Sequence, residues 1–271
     1  MFRNLNWFYL ASTSLLSAGF LLSGMESFIP FIVLIFTNFT AVFLVYRFNV
    51  CMDQKNSFQQ NISHYFSFQI HRVFASQLFL VLAPLCIWLL ESRTLSILAA
   101  GAAMSFLYSI QFRFGTIRFR LKNVFIIKSL FIGFVWASLI LLGAGNNSDS
   151  FVNIVFIFVC IQVFIGAIIR DIPDVKSDLQ EGVKSFPVIF GVNRTILILH
   201  LINVGAGVFF VTMKYDIEGI LFFGFTSLWR ALNLLCISKY PLKSIWTQQL
   251  NLFTCVLMFL ILLFLRSYEH F

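Results

Sequence analysis

Residues Phe151 to Asp178 read FVNIVFIFVCIQVFIGAIIRDIPDVKSD, and the fold is decided by the contrast between the two parts of that stretch. From Phe151 to Ile169 there is no charged side chain. At about 1.5 Å of rise per residue, such a run takes a helix across most of a hydrocarbon core. From Arg170 onward polarity returns abruptly, and four of the chain's eleven acidic residues lie between Asp171 and Glu181. The boundary between an apolar run and a knot of carboxylates marks a membrane span meeting water, and it is where chemistry is to be sought.

The rest of the chain repeats the apolar half of this pattern. With 59% hydrophobic residues, 18% aromatics, 11% charged residues and a mean hydropathy of +0.90, the composition excludes an ordinary soluble domain. Apolar stretches near spanning length fall at about 7–24, 29–48, 73–90, 94–112, 123–143, 151–169, 195–213, 217–237 and 246–265. None shows the alternating pattern of a transmembrane barrel strand, so the expected fold is all-α, a polytopic bundle of about nine transmembrane helices. No low-complexity linker divides it, which argues for a single domain over residues 1–271. The first stretch is rather long for the apolar region of a signal peptide and reads as a span.

Charge sets the expected orientation. With the N-terminus inside, Arg93, Lys214 and Arg266 are the only basic residues of polar segments on the far side, while Lys128 and Arg230 lie within apolar stretches. The positive-inside rule therefore favours N-terminus in and C-terminus out, in a cytoplasmic membrane. The net charge of +8 suits anionic headgroups or a phosphorylated substrate at the inner face and gives no reason to invoke nucleic acid. Cys51, Cys86, Cys160, Cys236 and Cys255 form no CxxC pair and read as small core residues. The four histidines lack ligand spacing.

Asp171, Asp174 and Asp178 are spaced by three and then four, which on a continuous helix places them on one face. Three like charges at that spacing call for a cation, and magnesium, which combines carboxylate and phosphate oxygens, is the first candidate. Pro173 interrupts the pattern because it removes a helix hydrogen bond, so the shared face holds only if the kink is modest or the helix restarts near Asp171. Lys128 lies about one and a half turns inside the fifth stretch, where a charge costs roughly 2.5 to 3.5 kcal/mol. It either faces a polar cavity or snorkels to the nearby interface. Arg230 is placed more deeply, and would either pair with a substrate or bond to neighbouring carbonyls.

The segment Arg170-Asp-Ile-Pro-Asp-Val-Lys-Ser-Asp178, followed by Gly182, Lys184 and Phe186-Pro-Val188, resembles the second aspartate-rich motif of the UbiA-type intramembrane prenyltransferases. Tyr108-Ser109, ahead of the basic loop that ends in Leu121-Lys-Asn123, is similar to that family as well. The family's first motif, NDxxDxxxD, is present in part: Asn49 and Asp53 remain, while Val50 and Ser57 stand where carboxylates are expected. The resemblance implies transfer of an isoprenyl chain from a polyprenyl diphosphate to an aromatic or lipid acceptor within the bilayer, with loss of pyrophosphate. It implies a catalytic set of Asp171, Asp174, Asp178, Asn49 and Asp53, with magnesium on Asp171, Asp174, Asp178 and Asp53. Lys128, Arg118, Lys122 and Tyr108 would then meet the substrate's diphosphate end. Phe48, Phe106, Tyr108, Phe112 and Trp136 stand where a tunnel near that end would use aromatic walls. The alternative is a catalytically weakened member that binds isoprenoid lipid or serves as a membrane scaffold, motivated by Val50 and Ser57. A transporter fits poorly, since charges gather at one end of the spans.

Overall fold

The computed structural model describes residues 5–23, 28–52, 92–114, 117–120, 124–145, 150–214, 216–239 and 244–269. The elements in chain order are α1 (Leu5–Ser23), α2 (Phe28–Met52), α3 (Ser92–Ser109), β1 (Gln111–Phe114), β2 (Ile117–Arg120), α4 (Ile127–Ala144), α5 (Ser150–Asp171), α6 (Val175–Glu181), α7 (Phe186–Phe190) and α8 (Val192–Met213). They are followed by α9 (Ile217–Lys239) and α10 (Ser244–Glu269). The chain is thus an all-α membrane bundle with one small hairpin. Five helices, α4, α5, α8, α9 and most of α10, are long and apolar enough to span by themselves, and α1 and α2 add shorter apolar helices. The expected span at 73–90 lies outside the described residues.

Two groups of helices share a seam. In the first, α1 packs on α2 and α4, and α3 packs on α2 and α4; in the second, α8, α9 and α10 surround α5. The seam is made where α5 meets α4 and where α1 meets α10. Glycine makes the α1–α4 crossing. A Cβ on Gly19 would run into the Ile140 carbonyl, and one on Gly143 into the Leu16 carbonyl. Ala11, Ala18, Ala137 and Ala144, all fully buried, extend the same small-residue contact. In lipid, where apolar side chains gain little by leaving their solvent, such close backbone approach is what holds helices together.

Three fully buried phenylalanines, Phe158, Phe222 and Phe223, form much of the core far from the acidic cluster, with ring centroids 4.9–5.9 Å apart. Consecutive Phe222 and Phe223 both point inward because residues 220–224 of α9 are wound as a π-helix, a widening of the kind that re-aims side chains.

Two expectations change. The stretch read as one helix over 94–112 ends at Ser109, and the chain continues into the antiparallel β1–β2 hairpin, with Phe112 opposite Phe119 and Arg113 opposite Arg118. Residues Gln111 to Phe114 and Ile117 to Arg120 alternate apolar and polar, which is the period of a strand. The second change concerns the aspartates: α5 stops at Asp171 and a new helix starts after Asp174, so the three do not lie along one helix. Pro173 has no N–H to donate back to Ile169. The chain instead makes tight turns, Ile172 N–H donating to the Ile169 carbonyl (3.2 Å) and Asp174 N–H to the Asp171 carbonyl (3.2 Å).

Candidate functional site

The last turn of α5 is buried almost all round, so Asp171, at 5% exposure, sits on packed helix rather than in water. Its counter-charge comes from the first turn of α4: Lys128 Nζ lies 2.7 Å from Asp171 Oδ1. The lysine read from the sequence as facing a polar cavity or snorkelling to the interface thus neutralises the carboxylate where α5 ends. It is delivered by an uncommon turn. Ile126 has φ 66° and ψ −49°, and Ile127 N–H donates to the Phe125 carbonyl at 2.8 Å, closing a γ-turn of the rare positive-φ kind on a β-branched residue.

Beyond the break, Asp174 is the N-cap residue of α6 and Asp178 lies one turn further on. Partial burial pushes the Asp174 carboxyl above the ordinary aspartate range, and the negative charges of Asp178 and Asp171 push the same way against Arg170 and Lys128. Asp178 Oδ2 is buried and has no hydrogen-bond partner. Helix α6 closes on Gly182 in the left-handed conformation (φ 71°), and α7 folds back so that the buried Phe186 ring meets Phe125 (4.9 Å) and Phe164 (6.2 Å). The glycine and the Phe-Pro-Val turn of the motif therefore pin the acidic loop onto the starts and ends of α4 and α5.

An apolar cavity of about 260 Å³ opens beside this cluster, among α1, α2, α3 and α4, with Arg170 at its acidic end. Phe8, Tyr108, Phe131 and Trp136 form its aromatic upper wall, Tyr108 stacking on Phe131 at 5.5 Å. Deeper lies a polar band of Ser12, Asn38 and Ser138, where Asn38 Nδ2 donates to Ser12 Oγ (3.1 Å), and below it Leu16, Leu34 and Leu142. Ser138 is ten residues along α4 from Lys128, so the band is about 15 Å below the ion pair.

Other predicted site residues are located less fully. Asn49 falls near the end of α2 and Arg118 on β2, as backbone positions. Asp53 and Lys122 lie outside the described residues, as do the side chains of Phe48, Phe106 and Phe112. Among the described residues no three His, Cys, Asp or Glu side chains converge as a metal cage. Magnesium does not require one, since it is commonly held by one or two carboxylates together with water and phosphate oxygens. The unpartnered Asp178 Oδ2 and the mutually repelling Asp174 fit that mode.

Sequence reading missed a second polar centre, inside the bilayer region. Arg230, 1% exposed on α9, donates through Nε to Gln162 Oε1 (3.2 Å), through Nη1 to Asn251 Oδ1 (2.6 Å) and through Nη2 to the Gln162 carbonyl (3.0 Å). Asn251 Nδ2 donates to the Gly166 carbonyl (3.1 Å), Gln162 Nε2 to Asn203 Oδ1 (3.0 Å) and Asn203 Nδ2 to the Ser227 carbonyl (2.8 Å). Arg230 together with Gln162, Asn203 and Asn251, polar residues inside apolar stretches of four helices, was the available signal.

The chain matches the model of the UbiA prenyltransferase family over residues 62–254. No curated protein matches it. Among solved structures, a UbiA homologue from Archaeoglobus fulgidus bound to GPP and Mg2+ aligns with a TM-score of 0.71 at 12% identity, over 98% of this chain and 99% of that one. A structure concerned with digeranylgeranylglyceryl phosphate synthase aligns at 0.61 and 17% identity over 97% of each chain. The apo structure of a UbiA homologue from Aeropyrum pernix K1 gives 0.63 and 14% over 94% and 95%. These likenesses carry the fold.

Proposed function

The chain belongs to the UbiA prenyltransferase family, and from that membership we propose that it moves an isoprenyl group from an allylic diphosphate to an aromatic or lipid acceptor inside the membrane. The observation that carries the proposal is the meeting of an under-neutralised acidic loop with an aromatic-walled apolar cavity at Arg170 and Asp171. A polyprenyl diphosphate has the matching halves. The relative that binds GPP and Mg2+ argues for a donor of that class here.

In the reaction the allylic C–O bond breaks with its electron pair leaving on pyrophosphate, a bond forms from the allylic carbon to the acceptor, and the acceptor gives up a proton. Asp174 and Asp178, with Asn49, Asp53 and Asp171, would hold magnesium, which when bound would neutralise the charge of the diphosphate. Arg118, Lys122 and Lys128 bring further positive charge to the phosphate oxygens. Phe8, Tyr108, Phe131 and Trp136 exclude water from the allylic cation and offer it aromatic faces. The site faces the cytoplasm in this reading, with the N-terminus inside.

A radiolabelled allylic diphosphate series with an acceptor panel, using protein in lipid nanodiscs, tests the proposal. Asp174→Ala and Asp178→Ala are expected to lower turnover by about a hundredfold or more, the scale on which loss of charge stabilisation is felt. Unchanged turnover removes those residues from the reaction. Val50 and Ser57 support a second reading, a member that binds isoprenoid lipid without turning it over. It predicts prenyl diphosphate binding with no pyrophosphate released against any acceptor.

A further inference from the structure

The Lys128–Asp171 ion pair raises a question that the family reading does not answer. A diphosphate site needs both a free cation for phosphate and free carboxylates for metal, yet here one of each is spent on the other at 2.7 Å. We propose that Lys128 is a resident counter-ion: it neutralises Asp171 while the site is empty and crosses to the phosphate oxygens when a metal diphosphate enters, freeing Asp171 to join Asp174 and Asp178. The proposal rests on the prenyltransferase reading of this site.

Three observations carry it. Among the described residues Asp171 is the one aspartate of the loop in an ion pair, whereas Asp178 Oδ2 has no partner at all. The charge balance is therefore met at Asp171 and left open one turn beyond. The lysine is also built to move. Its side chain keeps 18% exposure, against 7% for Asp171, on a flexible stem whose ammonium has three donors, of which the pair uses one. Lastly, the backbone that delivers it is strained at Ile126, two residues before Lys128. Strain of this kind persists where the surroundings impose it, and it gathers at switching segments. A pair serving only to fasten α4 to α5 would need neither the partial exposure of the lysine side chain nor the strained turn.

The exchange gives the empty site a definite charge state. Metal alone competes with Lys128 for Asp171 and binds weakly, and diphosphate supplies the oxygens that let the ammonium leave. Metal and donor then enter together, and the acidic loop does not fill with metal that has no substrate to hold.

The test uses the full chain in nanodiscs, wild type and Lys128→Gln. Isothermal titration with magnesium alone is expected to show Lys128→Gln binding about tenfold more tightly than wild type, because Asp171 is no longer neutralised. Titration with geranyl S-thiolodiphosphate, an unreactive donor, in saturating magnesium is expected to show Lys128→Gln binding about tenfold more weakly. Equal magnesium affinities, or equal thiolodiphosphate affinities, overturn the exchange. A structure of the wild-type chain with magnesium and the thiolodiphosphate decides the matter even if the variant does not fold. Lys128 Nζ within hydrogen-bond reach of a phosphate oxygen supports the exchange, and Lys128 still paired with Asp171 contradicts it. Failure of the wild type to bind the thiolodiphosphate with magnesium defeats the prenyltransferase reading and this proposal together, a result distinct from binding with the ion pair intact.

Discussion

Asp174 shows how one residue's surroundings reverse the usual sense of an aspartate. Partial burial and its neighbours Asp178 and Asp171 raise its pKa, so the folded chain holds the proton more tightly than the unfolded one. Stability from this group is complete below the unfolded aspartate value of about 3.9 and is lost as pH rises through the folded value. Asp174→Asn is therefore expected to raise the melting temperature of the metal-free protein at pH 7, with the gain shrinking toward zero as pH falls below about 4. A gain that is constant across pH would mean that charge is not its source. The sequence made these carboxylates legible as a group through their spacing. It did not reveal that Lys128 belongs to Asp171, because the two are 43 positions apart and only the packing of α4 on α5 joins them.

At the scale of elements, helices and their ends were legible wherever apolar length and proline spoke clearly: α5, α8 and α9 fall close to the expected runs, and Pro173 breaks the chain where its missing N–H demands. The β1–β2 hairpin was not, since four-residue strands were lost in the tail of an apolar stretch beside a basic loop. The join between helices is where sequence said least. Arg230 and Asn251 donate to the Gln162 and Gly166 carbonyls of α5, one turn apart, and so fasten α9 and α10 to the helix that carries Asp171. Arg230→Met would leave Gln162 and Asn251 acceptors buried and unpaired, and is expected to cost about 1–3 kcal/mol of stability by reversible unfolding in mixed micelles. A loss near zero would show that the amides re-pair among themselves. Gly143→Leu acts on the other group of helices. The added side chain meets the Leu16 backbone directly, and overpacking of this kind costs about 1–3 kcal/mol or more. Wild-type stability in that variant would deny the close α1–α4 crossing.

Over the whole molecule, the arrangement sorts chemistry by depth. The acidic loop and Lys128 lie at one end of the cavity, aromatic rings and a polar band line it beneath, and leucines close it. Composition announced the membrane and the second aspartate motif announced the polar end. The cavity, by contrast, is assembled from four helices, and no single stretch describes it. The most direct test of the account is pyrophosphate release by the purified chain from geranyl diphosphate, measured with and without magnesium across acceptors. The account predicts release that requires magnesium and an acceptor and that is lost in Asp174→Asn. Absence of release with every donor and acceptor, or release indifferent to magnesium and to Asp174, would contradict it.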